Sequence, residues 1–129
     1  MKISYGKNVY GKEEINAVLK QLKKTTQMGS SVRNFEKKIS KLFSKKYGVM
    51  VNSGSSAIIL AMHLLDVKKN DEIITPALNF GTAVSSILMF GAKPVFVDVK
   101  VDSLQIDVEK IESRITKKTK ALLIPNLIG

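Results

Sequence analysis

Between Glu13 and Lys24 the apolar positions Ile15, Val18, Leu19 and Leu22 recur every three or four residues, with polar positions between them. That spacing gathers them on one stripe and predicts an amphipathic helix. A second stripe, Val32, Phe35, Ile39, Leu42 and Phe43, follows Ser30-Ser31, whose hydroxyls are suited to cap the helix start. The period then changes. Tyr47 to Val51 is a short apolar run that predicts a strand, and Ser56 to Leu65 predicts a largely buried helix. Lys68-Lys69-Asn70-Asp71 predicts a polar turn before a strand over Glu72 to Thr75. A helix of small and apolar residues is expected from about Phe80 to Phe90, with Gly91 as its natural stop. A strand over Pro94 to Val99, a helix from about Val108 to Ile115 capped by Asp107, and a strand over Ala121 to Pro125 complete the pattern.

After a helical segment at 1–45, residues 46–129 therefore read as β-α-β-α-β-α-β. The strand runs (VMV, EIIT, VFV, ALLI) are continuously apolar instead of alternating. Burial on both faces requires that, so the expected fold class is α/β, a mostly parallel sheet with helices on both faces. Right-handed crossovers then bring the C-terminal ends of all the strands to one edge. Ligands of open α/β sheets sit beyond that edge.

With 129 residues the chain is one domain or part of one. No apolar stretch approaches the roughly 20 residues of a membrane span, and MKISYGKNVYGKEEI lacks the apolar core of a signal peptide. A cytoplasmic protein without membrane partners is expected. The absence of Cys removes disulfides, thiolate metal sites and a cysteine nucleophile. No metal site is expected. A net charge of +10 invites comparison with nucleic-acid binders. Only Arg33 and Arg114 offer bidentate forks, however, and the lysines are scattered in pairs such as Lys23-Lys24, Lys45-Lys46 and Lys117-Lys118. They fall near helix ends and in connections, as a solvated surface would have them. No nucleic-acid partner is expected.

Chemistry concentrates at the sheet's ligand edge. Asn52-Ser53-Gly54-Ser55-Ser56 ends one predicted strand and opens a helix, where free backbone N–H groups and the positive end of the helix dipole suit an anion. Gly54 permits a close backbone approach, and Ser55 and Ser56 add hydroxyl donors. A serine-rich turn that merely caps a helix is the competing account. Neither G-x-G-x-x-G nor G-x-x-x-x-G-K-[ST] occurs, which disfavours a dinucleotide fold or a P-loop. On the same edge, Phe80 in TPALNFGTA is either a core ring or a flat wall beside whatever the first loop holds. His63, within AIILAMHLL, reads as a satisfied, partly buried residue on a helix expected to pack against the sheet. Glu109 and Glu112 read as a solvated face.

The stretches VNSGSSA, NDEIITPALNFGTAVSSILMFGAKPVFVDV and DVEKIESRITKKTKALLIPNLIG resemble, in order and spacing, the DegT/StrS-type sugar aminotransferase family. The leading GSSVRNFEKKISKLFSKKYGVMV is similar to the same family's N-terminal segment. The resemblance implies fold type I, with this chain as the N-terminal part of the large domain, and pyridoxal 5'-phosphate as cofactor. It implies a nucleotide-linked keto sugar and an amino-acid donor as partners, and a homodimer at full length. By position, the family's phosphate-binding pair falls on Ser55 and Ser56, after Gly54, and its ring-stacking aromatic falls on Phe80. Asp98 and Asn126 also sit at predicted strand ends on the ligand edge, Asp98 read as structural and Asn126 as a pocket candidate only. The family's pyridine-pairing aspartate and cofactor-bonding lysine match no residue of this chain. No catalytic residue is therefore expected among these 129, and the chain alone is expected to be inactive. Two departures, SGSS for S-G-T-A and PNLIG without a preceding His, resemble the sugar 3-dehydratase branch, in which histidine replaces the lysine. A Lys-rich, non-enzymatic α/β binding module is the third alternative.

Overall fold

The computed structural model describes residues 6–127. Residues 1–5 of the leading stretch and residues 128–129 of PNLIG lie outside them. The chain divides into two compact units, residues 1–50 and 51–129.

The first unit carries α1 (Lys12–Leu22) and α2 (Ser30–Leu42). At the start of α1 the Gly11 N–H donates to Glu14 Oε2 at 2.7 Å, half of a capping box. That hydrogen bond holds the Glu14 carboxyl below the usual carboxylate range. The predicted stripe of α1 is present but uncovered, since Ile15, Val18, Leu19 and Leu22 are all exposed. Ser30 and Ser31 do not cap α2. Gly29 occupies the cap, and both serines already lie in the first turn, where backbone conformation is helical. Ser31 Oγ instead donates to Gln21 Oε1 of α1 at 3.0 Å.

The strand expected at Tyr47–Val51 does not form. A strand needs a ladder partner, and none of the strands among the described residues pairs with this segment. The segment hangs on α2 instead. Met50 N–H donates to Glu36 Oε1 at 2.8 Å, and a Cβ on Gly48 would lie 2.8 Å from the Glu36 carbonyl oxygen. Only glycine allows that approach.

The second unit is a three-stranded parallel sheet, β1 (Glu72–Pro76), β2 (Lys93–Val97) and β3 (Thr119–Leu122), in the order β2-β1-β3. The α/β fold class and the parallel pairing are as expected, with strand ends shifted by up to three residues. Central β1 is buried on both faces. On one face Ile73 packs with Met62 and Ile58 of α3 (Gly54–Leu64) and Ile87 of α4 (Gly81–Met89). On the other, Ile74 and Val97 pack with Ile106, Val95 and Ile111.

The helix expected at Val108–Ile115 is replaced by two 3₁₀ turns, Val108–Lys110 and Glu112–Arg114. Their bonds close over three residues, as in Lys110 N–H to Asp107 carbonyl at 3.0 Å and Arg114 N–H to Ile111 carbonyl at 2.9 Å. Ser113 Oγ donates to the Lys110 carbonyl at 3.0 Å and competes with a continuous helix, while β-branched Val108, Ile111 and Ile115 give it little intrinsic support. Asp107 does cap, its Oδ1 accepting from Glu109 N–H at 3.3 Å. Gly91 ends α4 at φ +68°, the left-handed conformation in which glycine carries no Cβ penalty. Among the described residues no helix is long and apolar enough to cross a membrane.

Ile87 is fully buried and Val101 is 93% exposed. Ile87→Ala should therefore cost about 2–5 kcal/mol in urea unfolding, while Val101→Ala should stay within about 0.5 kcal/mol.

Candidate functional site

Sheet polarity decides where the helices of the second unit begin. Only the turn at residues 65–71 separates the end of α3 from the start of β1, so α3 runs back along the sheet from its C-terminal edge. Its eleven residues span about 16 Å, close to the length of a five-residue strand. Helix α4 begins five residues after β1 ends and returns the same way to β2. The starts of both helices therefore lie toward the C-terminal edge of the sheet.

At the start of α3, Ser53 is extended (φ −160°, ψ 161°) and its Oγ accepts from Ser56 N–H at 3.1 Å. Ala57 N–H donates to the Ser53 carbonyl at 3.0 Å. The Gly54 and Ser55 N–H groups are left without an acceptor among the described residues, at the positive end of the helix dipole. No acidic residue stands in the first turn. No heavy atom lies within 4 Å of where a Cβ on Gly54 would sit, so the ground above it is open. Ser55 and Ser56 are half-buried, and the Ser53 and Ser56 hydroxyls hydrogen-bond at 3.1 Å.

Phe80 is the N-cap residue of α4 and is 75% exposed, so it is not a core ring. Its backbone is held by a relay invisible to pattern reading. Phe80 N–H donates to Asn79 Oδ1 at 2.7 Å, Asn79 Nδ2 donates to Thr75 Oγ1 at 2.7 Å, and Thr75 Oγ1 donates to the Leu123 carbonyl at 2.8 Å. The one sequence clue was a hydroxyl within the apolar run EIIT, because a buried Thr needs partners.

Asp98 is exposed and pairs with Lys110 Nζ at 3.6 Å. Asn126 is also exposed. His63 is exposed, not partly buried. Its neighbour Met62 faces the core, and one residue along a helix turns the side chain by about 100°. The His63 ring is tilted toward that of Phe90, with centroids 6.4 Å apart. Glu109 pairs with Lys100 Nζ at 3.4 Å on the surface, and Glu112 is exposed.

Residues 8–129 match the model of the DegT/DnrJ/EryC1/StrS aminotransferase family. The chain belongs to that family. It is 36% identical over 129 residues to the GDP-4-keto-6-deoxy-D-mannose 3-dehydratase of Yersinia pseudotuberculosis, covering 95% of this chain and 33% of that protein. To the GDP-perosamine synthase of Vibrio cholerae it is 34% identical over 101 residues, 78% of this chain and 28% of the other. Its structure is similar to that of the E. coli GDP-4-keto-6-deoxy-D-mannose-3-dehydratase with bound hydrated PLP. The TM-score is 0.85 at 35% identity, covering 95% of this chain and 33% of that one. The chain thus spans about a third of the length of these DegT/DnrJ/EryC1/StrS relatives.

Ser53→Ala removes the cap acceptor of α3 and should cost about 1 kcal/mol in thermal or urea unfolding. Ser53→Asp, which keeps an acceptor there, should recover most of the loss.

Proposed function

We propose that this chain forms the amino-terminal part of the cofactor-binding domain of a pyridoxal-phosphate enzyme acting on a nucleotide-linked keto sugar, with an amino acid as amino donor. The observation that carries the proposal is the pair of unused N–H groups at Gly54 and Ser55, on the same sheet edge as the exposed ring of Phe80. The residues fit the cofactor. A phosphate ester is an anion that needs several donors and no nearby carboxylate, and the first turn of α3 offers both. The open ground above Gly54 admits a ligand oxygen that a side chain could obstruct. Phe80 presents an aromatic surface suited to stacking against a planar ring.

In this assignment Gly54 and Ser55 bind the phosphate through the backbone, and Ser55 and Ser56 add their hydroxyls. Phe80 orients the ring and shields one of its faces from water. When bound, pyridoxal phosphate supplies the electron sink for chemistry at the carbon bearing the amino group. Asp98 keeps a structural role through Lys110, and Asn126 is a candidate contact at the pocket rim. The exposed stripe Ile15, Val18, Leu19 and Leu22 on α1 supports burial against further protein, as in a homodimer; a cytoplasmic location is part of the same proposal.

Transamination is the first assignment, after the family description. Dehydration at the sugar's C3 is the second, favoured by SGSS at 53–56 and by the 36% identity to a 3-dehydratase over 129 residues.

The freshly purified full-length protein should absorb in the visible band of protein-bound pyridoxal phosphate. A colourless protein that gains no band on adding the cofactor would contradict the proposal. After borohydride reduction, mass spectrometry should find the cofactor attached to the protein for an aminotransferase and released for a dehydratase. Replacing both Ser55 and Ser56 by Ala should weaken cofactor affinity by about tenfold or more, since hydrogen bonds to charged groups are the strong ones.

A further inference from the structure

We propose that Thr75 and Asn79 are positioning residues for Phe80, fixing where its ring stands relative to the phosphate site. The inference rests on the stacking role proposed for Phe80 and extends it to two residues that do not touch the cofactor themselves.

With its side chain largely uncovered, Phe80 is not held in place by packing among the described residues, and its backbone sets the ring's position. That backbone is tied to the sheet. The Phe80 N–H reaches Asn79 Oδ1 at 2.7 Å, and Asn79 Nδ2 reaches Thr75 Oγ1 at 2.7 Å. Thr75 is fully buried in β1 and donates its own O–H to the Leu123 carbonyl at 2.8 Å, just past β3. Leu123 in turn donates its N–H to the Ile74 carbonyl at 2.8 Å.

Each group is used in the sense its chemistry allows. A threonine hydroxyl donates once and accepts from the other side, and an amide side chain donates through nitrogen and accepts through oxygen. Asn79 is the only link of the relay that meets both the helix start and the strand. Without its side chain the Phe80 N–H loses its partner and the loop from Ala77 to Phe80 loses its tie to Thr75. The Ala77 N–H, bonded to the Val97 carbonyl at 2.8 Å, is an anchor at the other end of that loop and is left intact.

The test is a double-mutant cycle in the full-length protein. It reads the dissociation constant of pyridoxal phosphate and the circular-dichroism band that the bound cofactor acquires from its surroundings. Asn79→Ala should weaken binding about fivefold and reduce the induced band. Thr75→Val should act in the same direction, and Thr75→Ser, which keeps the hydroxyl, should restore both readouts. Phe80→Ala should weaken binding at least as much. On that background Asn79→Ala should add nothing, because its effect runs through the ring.

If Phe80→Ala weakens binding but Asn79→Ala leaves affinity and band unchanged, the positioning role is overturned while the stacking role stands. The same holds if the two effects multiply independently. If Phe80→Ala itself changes neither readout, the stacking role fails and the positioning role falls with it. Should Thr75→Val not fold, Asn79→Ala at a half-buried site carries the test alone.

Discussion

The second unit depends on a central strand that must be apolar on both sides. Ile73 and Ile74 are adjacent in sequence, point to opposite faces and are both completely buried. Neither face can be left to water. One is covered by α3 and α4, the other by the segment that carries Ile106 and Ile111. Parallel neighbours on both sides of β1 force long crossovers; α4, which crosses from β1 to β2, must begin at the C-terminal edge of the sheet, and α3 begins there because its far end leads through a short turn into β1. The location of Gly54, Ser55, Ser56 and Phe80 follows from a packing requirement set by two isoleucines.

That constraint separates what residue patterns reveal from what they do not. Strand β1 and helices α3 and α4 were legible because burial sets their composition, and Gly91 marked the end of α4 because its backbone is left-handed. The strand expected at Tyr47–Val51 failed for a different reason. Its apolar run fits a strand, but a strand also needs a partner, which no local pattern supplies. At Val108–Ile115 the apolar spacing was equally compatible with two tight turns. Local hydroxyl bonding at Ser113 and the inward pull of Ile111 went with the turns.

The site was legible in outline. Serines around a glycine at the start of a helix indicate an anion when that start lies on the ligand edge, and the structure adds the two N–H groups without acceptors among the described residues. Pattern alone left Phe80 undecided between core and surface, and its exposure rules out the core. Asn79 and Thr75 leave no mark in the apolar pattern because their roles lie in side-chain hydrogen bonds, local for Asn79 and spanning 48 residues from Thr75 to Leu123, which periodicity does not encode. His63 went the other way. A helix apolar on nearly every side suggested burial all round, yet a small sheet covers only the stripe containing Ile58 and Met62.

The most direct measurement is a crystal structure of the full-length protein grown with pyridoxal phosphate. A phosphate oxygen should lie within hydrogen-bonding distance of the Gly54 and Ser55 N–H groups, with the pyridine ring against Phe80. A cofactor bound with its phosphate away from α3, or with its ring out of contact with Phe80, would contradict that placement.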